Sequence, residues 1–337
     1  MRVMNSLKKI RSGLVVLGIL CAGPVLGQQE PIYSQYMMNS FLLNPAVAGA
    51  EGFTAFNLTA RQQWAGYSQG PRTFAVSGQT RILKTSYMNR SKRIKNRVRK
   101  RRPSGRVGFG GYLFNDVNGR VSRTGMQGTY AYHLDMRQYQ LSFGASVSFY
   151  QFKADVSPSG LPYPDQLDPL VASGKVNADF SPDANFGILL SSASAWYAGF
   201  SVSNLFQSSI QFGTGNKESA YRLLRHYYLI GGYRYDFRND FEIEPSLKLT
   251  STERLSYTTD INVKGYYKRD YWAGLSYRTS GSAIVMVGAK YKTYYVGYAF
   301  DYGFGQLSNF SKFGTHELML GIKLGDSARR YRWLNRF

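Results

Sequence analysis

The sequence predicts an all-β fold, a single antiparallel transmembrane β-barrel of about 14 strands. Three observations carry this expectation. The chain opens with an export leader, it alternates apolar and polar residues with period two from residue 53 to residue 324, and no later apolar run is long enough for a helical span.

The leader is read from its three parts. Arg2, Lys8, Lys9 and Arg11 form a basic start, and Gly13 to Leu26 form an apolar stretch of about fourteen residues, short for a spanning helix. Val25 and Gly27 follow at the positions a signal peptidase reads, so cleavage is expected before Gln28. Leu20 stands where a lipoprotein signal needs a small residue, so Cys21 is not expected to carry a lipid. Losing residues 1–27 removes the only cysteine, which excludes disulfides, thiolate metal sites and a cysteine nucleophile.

The remaining chain holds most of the 27 Tyr, 21 Phe and 35 Gly, yet its mean hydropathy is below zero. A barrel gives that balance because lipid-facing and lumenal side chains alternate and cancel. In order, the pattern predicts strands over 53–64, 72–83, 105–115, 120–134, 139–152, 181–192 and 195–204. It continues with 221–236, 239–250, 254–266, 270–279, 281–291, 293–302 and 314–324. In 139–150, Tyr139, Leu141, Phe143, Ala145, Val147 and Phe149 share one face against Gln140, Ser142, Gly144, Ser146 and Ser148. The last run sets Leu318, Leu320 and Ile322 against Glu317, Met319 and Lys323. An even strand count brings both ends of the barrel to the periplasmic side, where turns are expected to be short with one exception, the basic connection at 84–104.

Charge sits in two places. The formal net charge is +22, and the leader holds four of the 42 basic residues and none of the 20 acidic ones. The stretch Arg90–Arg102 (RSKRIKNRVRKRR) holds nine basic residues and no acid, in a connection expected on the periplasmic side. No aromatic residue interleaves with these charges, so a nucleic-acid surface is not indicated. The second place is the polar face of the strands. Arg61, Arg81, Arg234, Asp236, Glu242, Glu244, Lys248, Asp260, Lys264, Arg278, Lys290, Asp301, Glu317 and Lys323 are expected in the lumen. Mixed signs there favour cross-strand ion pairs over a selectivity ring of one sign.

Catalytic signals are weak. The three histidines, His133, His226 and His316, lack a nucleophile elbow, and a barrel hydrolase would have to work through His133 or His316. Asp155, Asp165, Asp168, Asp179 and Asp183 lack the spacing of a calcium loop. No cofactor and no metal are expected.

Ahead of the first strand, residues 30–50 read EPIYSQYMMNSFLLNPAVAGA. Ser34-Gln35-Tyr36-Met37, Asn44-Pro45-Ala46, Ala48-Gly49, Arg61-Gln62-Gln63-Trp64 and Pro71 follow in order, with Gly297-Tyr298, Asp301 and His316-Glu317 near the end. With these words the chain, from about Pro31 to Leu324, resembles the PorP/SprF family of type IX secretion system membrane proteins. The resemblance implies an outer-membrane barrel that helps to secrete a specific cargo, such as an adhesin used in gliding, or anchors it at the cell surface. Implied partners are that cargo, periplasmic components of the machine and outer-membrane lipid. The run Arg90–Arg102 and the extension Gly325–Phe337 depart from the family pattern.

The expected organisation is a leader (1–27), a periplasmic or plug segment (28–52), the barrel (53–324) and a basic extension (325–337). Cargo contact is expected on the outer loops 153–180, 205–220 and 303–313, through Phe180, Phe206, Phe212, Phe304 and Phe310. Periplasmic docking is expected through Arg93, Lys95, Arg97, Arg99, Lys100, Arg101 and Arg102. The alternative function is a diffusion pore for small solutes.

Overall fold

The barrel strands, in chain order, are β1 (Thr54–Gln62), β2 (Arg72–Ile82), β3 (Val107–Asn118), β4 (Val121–Asp135), β5 (Tyr139–Asp155), β6 (Ser181–Ser192) and β7 (Trp196–Ser203). They continue as β8 (His226–Tyr233), β9 (Phe241–Thr252), β10 (Tyr257–Tyr267), β11 (Tyr271–Arg278), β12 (Ser282–Tyr291), β13 (Tyr294–Gly303) and β14 (Thr315–Leu324). These come from a computed structural model that describes residues 30–82, 106–136, 139–155, 175–177, 180–192, 195–210, 221–237, 240–304 and 313–324. The leader, the basic run Arg90–Arg102 and the C-terminal extension lie outside the described residues.

Each strand pairs antiparallel with its neighbours in sequence, and β14 returns to β1 from Thr54↔Leu324 to Gln62↔His316. Closure is what a membrane demands. Hydrocarbon offers no water to unpaired amides, so a sheet that crosses it must leave no edge. Fourteen strands therefore match the expected number.

Alternation is realised as predicted. Phe56, Leu58, Leu113, Val147, Ile261 and Leu320 point outward and are exposed to the membrane side. Asn57, Thr59, Arg61, Ser146, Asn262 and Glu317 point inward and are buried. Aromatic rings gather at both rims, as where a headgroup layer meets hydrocarbon. One rim has Phe241 against Tyr267 (4.9 Å between centroids) and Tyr139 against Trp196 (5.8 Å). The other has Tyr257, Tyr277 and Tyr302.

β1 begins and β14 ends at the first rim. An even strand count brings both ends of the chain's wall to the periplasm, which assigns this rim. Its turns at 268–270 and 292–293 are very short, and the 83–106 connection that holds the basic run is its one long connection. The opposite end, the outer mouth, carries the long connections 156–180 and 204–225.

Two expectations change. The strand expected over 221–236 is divided: Tyr221–Arg222 pairs with Ser209–Ile210 away from the wall, and the barrel strand runs only from His226 to Tyr233. Its last partner across the wall is Trp196, the first residue of β7. Tyr235–Phe237 pairs with β9 alone, so Asp236 stands exposed below the wall instead of in the lumen, 3.7 Å from Arg269. The strand expected from 254 starts at Tyr257, because Leu255 takes a left-handed φ of 57° in the turn before it.

The outward face gives a direct test of the membrane assignment. Replacing Val263, midway along β10, with Arg is expected to cost about 2–4 kcal/mol in lipid vesicles. Arg at Lys268, in the periplasmic turn, should leave stability unchanged. Reversible unfolding in vesicles measures both, and equal behaviour of the two variants would remove Val263 from the hydrocarbon.

Candidate functional site

The lumen is filled by the chain's own start. Residues 30–50 run inside the wall as turns and two single-turn 3-10 helices, Ser40–Leu42 and Pro45–Val47. Tyr36, Met37, Phe41, Ala46 and Ala48 are each at most 2 % exposed. Asn44 starts the second turn: its side-chain oxygen accepts from the Ala46 amide at 2.9 Å, and Pro45 fits the first position, where no amide donor is needed.

Irregular backbone held away from water must find partners, and here the wall supplies them. The Glu317 carboxylate accepts the backbone amides of Ser34 (2.7 Å) and Gln35 (2.8 Å). The Gln35 side chain donates to the Glu317 carbonyl at 3.2 Å. Asn44 donates to the Ile188 carbonyl, and Ser201 donates to the Leu43 carbonyl at 2.7 Å. Lower down, His133 Nε2 lies 3.0 Å from the Ala48 carbonyl and Gln140 donates to the Ala50 carbonyl. Since a carbonyl only accepts, His133 carries its proton on Nε2, and its Nδ1 faces Ser142 Oγ at 2.8 Å.

A belt of alternating charge stands behind Glu317. Arg61 meets Glu317 (3.0 Å) and Asp301 (3.2 Å), and Asp301 meets Arg278 (3.1 Å). Arg278 meets Asp260 (2.9 Å), and Asp260 meets Lys248 (2.7 Å). Register creates three of these contacts, since Arg61↔Glu317, Asp260↔Arg278 and Lys248↔Asp260 face each other across adjacent strands. Nearer the periplasm Glu244 holds Arg234 at 2.6 Å and faces Lys264 across β9 and β10. The belt touches the plug directly: Ser34 Oγ accepts from Arg61 at 2.6 Å, and Lys248 sits 4.5 Å over the Tyr36 ring.

Facing this belt, β3 to β7 present small polar groups and glycines. A Cβ on Gly108 would lie 1.9 Å from the Ala48 carbonyl oxygen, and one on Gly144 would lie 2.2 Å from the Pro45 carbonyl carbon. Both neighbours are backbone atoms that cannot swing aside. These positions are shaped to the segment they hold.

At the outer mouth Phe180 and Phe206 are well exposed and line one recess of about 610 Å³ with Pro182, Gln207, Ser208 and Arg222. The turn carrying Phe206 is built by Asp183, a fully buried carboxylate that accepts from the amides of Ala184 (2.7 Å), Phe206 (2.9 Å) and Ser208 (3.3 Å). Asn204 and Gln207 flank it in left-handed conformations, φ 58° and 52°.

The predicted residues therefore separate. Phe180 and Phe206 come together, while Phe304 is exposed elsewhere, edge-on to Tyr302 at 5.4 Å. Phe212, Phe310, Arg93, Lys95, Arg97, Arg99, Lys100, Arg101 and Arg102 lie outside the described residues. Among the expected lumenal charges Arg61, Arg81, Glu242, Glu244, Lys248, Asp260, Lys264, Arg278, Asp301, Glu317 and Lys323 are buried inside. Arg234 and Lys290 are half-buried at its periplasmic end. His133 faces the lumen and His316 faces outward against the Tyr298 hydroxyl at 2.6 Å, so they share no site.

Sequence reasoning did not single out Glu30, Arg123 or the wall glycines, and it weighed Asp183 only as a calcium ligand. One signal was present: glycine in mid-strand weakens a strand and marks close approach of another backbone.

The fold and its interior define an outer-membrane barrel whose lumen is occupied by its own amino-terminal segment. The chain belongs to the family of type IX secretion system membrane proteins PorP/SprF, which it matches over residues 25–322. No curated protein matches the chain. Among solved structures it is similar to a Pseudomonas aeruginosa FadL homologue at 11 % identity and TM-score 0.46, over 88 % of this chain and 94 % of that one. The Pseudomonas putida toluene transporter TodX aligns at 10 % identity and TM-score 0.43, over 85 % and 92 % of the two chains. The KdgM porin aligns at 10 % identity and TM-score 0.34, over 80 % and 98 %.

Substitutions at two positions separate the roles of charge and shape. Glu317→Ala leaves two buried amides and Arg61 short of an acceptor and is expected to destabilise by about 3–5 kcal/mol. Glu317→Gln, which keeps an acceptor oxygen, should cost less, as read by heat-dependent gel mobility of the folded barrel. Gly144→Val should leave the wall folded but displace the plug, seen as new ion conductance in planar bilayers. A silent, fully folded Gly144→Val barrel would mean the plug tolerates the added side chain.

Proposed function

We propose that this barrel serves type IX secretion by gripping a secreted cargo at the outer face of the membrane, as an accessory or anchor for surface display. One observation carries the reading: the lumen is occupied along its length by a segment bonded to both halves of the wall. A general diffusion pore needs a continuous aqueous path, and a wall shaped around its own filler argues against one.

With the interior taken, a partner meets the outer surface. The recess under Phe180 and Phe206 is the preferred contact, because exposed aromatic rings beside polar groups are what interface anchors are made of. A fully buried carboxylate and two left-handed residues hold that turn, which is more structure than an idle loop requires. Phe304, and with it Phe212 and Phe310 on neighbouring loops, would widen the same face. On the periplasmic side the run containing Arg93, Lys95, Arg97, Arg99, Lys100, Arg101 and Arg102 would attract an acidic component of the machine.

The test is recovery of the tagged barrel from its native envelope in mild detergent, followed by mass spectrometry. A stoichiometric large surface protein is expected. A partnerless barrel that conducts ions would favour the pore.

For contact residues, Phe180→Ala with Phe206→Ala should weaken cargo binding by at least about thirtyfold, since truncating one anchor costs about 2 kcal/mol or more. Surface-retained cargo is the readout. Full retention with a folded barrel would move the contact elsewhere.

A further inference from the structure

The path of the plug has a direction, and one strand measures it. β4 holds both ends of the segment: Arg123, two residues from its outer hairpin, pairs with Glu30 at 2.9 Å, and His133, two residues from its periplasmic end, faces the Ala48 carbonyl. Ten residues of strand separate these positions, about 33 Å at 3.3 Å per residue. A barrel tilt near 40° reduces that to about 25 Å, the height of the apolar band of such barrels. The segment thus crosses the whole wall from the outer mouth to the periplasm, where β1 begins and turns back.

Glu30 is fixed firmly at the outer end. Arg123 is buried, with the Tyr150 ring at 4.1 Å and Phe114 and Phe152 within 5.6 Å, so its charge sits among aromatic faces and on a carboxylate. The Asn204 side chain donates to the same Glu30 oxygen at 2.8 Å. Asn204 is also the residue from which the Phe206 turn starts, its own amide donating to Asn185 at 3.0 Å.

We propose that the chain ahead of Glu30 leaves the barrel through its outer mouth, so that the amino terminus made by leader removal is displayed on the cell's exterior beside the Phe180 and Phe206 recess. The barrel's strands begin and end in the periplasm, but its first mature residues do not. Two consequences follow. The leader must be removed before the segment seats, since an apolar leader held at the inner membrane cannot lie an envelope's width away at the outer mouth. The exposed terminus also belongs to the face on which a partner lands, held in register with it by Asn204.

The absence of cysteine beyond the leader makes the test clean. Gln29→Cys, Ser68→Cys (outer hairpin) and Lys268→Cys (periplasmic turn) are each treated with a membrane-impermeant maleimide, on intact cells and after permeabilisation. Gel mobility first confirms a folded barrel. Gln29→Cys is expected to label on intact cells like Ser68→Cys, with Lys268→Cys labelling only after permeabilisation. Labelling of Gln29→Cys only after permeabilisation, or in neither state, overturns the proposal. An epitope inserted between Gln29 and Glu30 and probed by antibody on intact cells repeats the test should the thiol variant fail to fold. Neither readout involves a cargo, so the topology can fail while surface gripping stands, and the reverse.

Discussion

The amides of Ser34 and Gln35 both end on the Glu317 carboxylate, and much of the lumen's order follows from that. A segment that is neither strand nor long helix cannot satisfy its own backbone, and inside a membrane barrel no bulk water does so for it. Glu317 is therefore the acceptor on which this stretch of backbone depends. A carboxylate buried there needs a counter-charge, which Arg61 supplies from the facing position on β1. Arg61 in turn needs Asp301, and the requirement passes through Arg278 and Asp260 to Lys248. Each interior member lies between opposite charges. Removing a single member of such a buried network costs more than any one pair contributes, because the neighbour is left desolvated and unmatched.

This chain of dependence explains why the two halves of the barrel look unlike each other. The belt side grips by charge and rejects displacement. The β3 to β7 side grips by shape, with glycines beneath Pro45 and Ala48 and single hydrogen bonds from His133, Gln140 and Ser201. A sieving lumen would instead present side chains to water with a prevailing sign at its constriction. The family words acquire a physical meaning in the same way. Ser34-Gln35-Tyr36, Asn44-Pro45-Ala46, Arg61, Asp301 and Glu317 are spread over some 280 residues of sequence, yet they form one docking arrangement between plug and wall.

The strand framework was legible because its cause is local. Period-two alternation follows from having lipid on one side and polar partners on the other, and each strand carries it independently. The lumenal charges were legible for the same reason, and Asp236 departs from them only where pairing across the wall ends at Tyr233. Which charge meets which was not legible, since that depends on register between strands up to 256 residues apart, as for Arg61 and Glu317. The plug's course was not legible either. Residues 30–50 have no period of their own, and among the described residues their hydrogen-bond partners lie on nine strands. Of the aromatic contact candidates Phe180 and Phe206 converge because Asp183 closes the turn between them, a long-range effect that loop composition does not reveal.

The interior and the outer surface are consequently one structure and not two. Glu30 ends the plug on Arg123 and Asn204, and Asn204 begins the turn that lifts Phe206 into the recess. A shift of the plug would withdraw an oxygen from Asn204 and loosen the turn that the recess depends on. Conversely, a partner seated on Phe206 would hold Asn204 in place and secure the outer end of the plug. By reciprocity of linked equilibria, whatever stabilises the filled lumen also favours the bound outer face, by the same free energy in both directions.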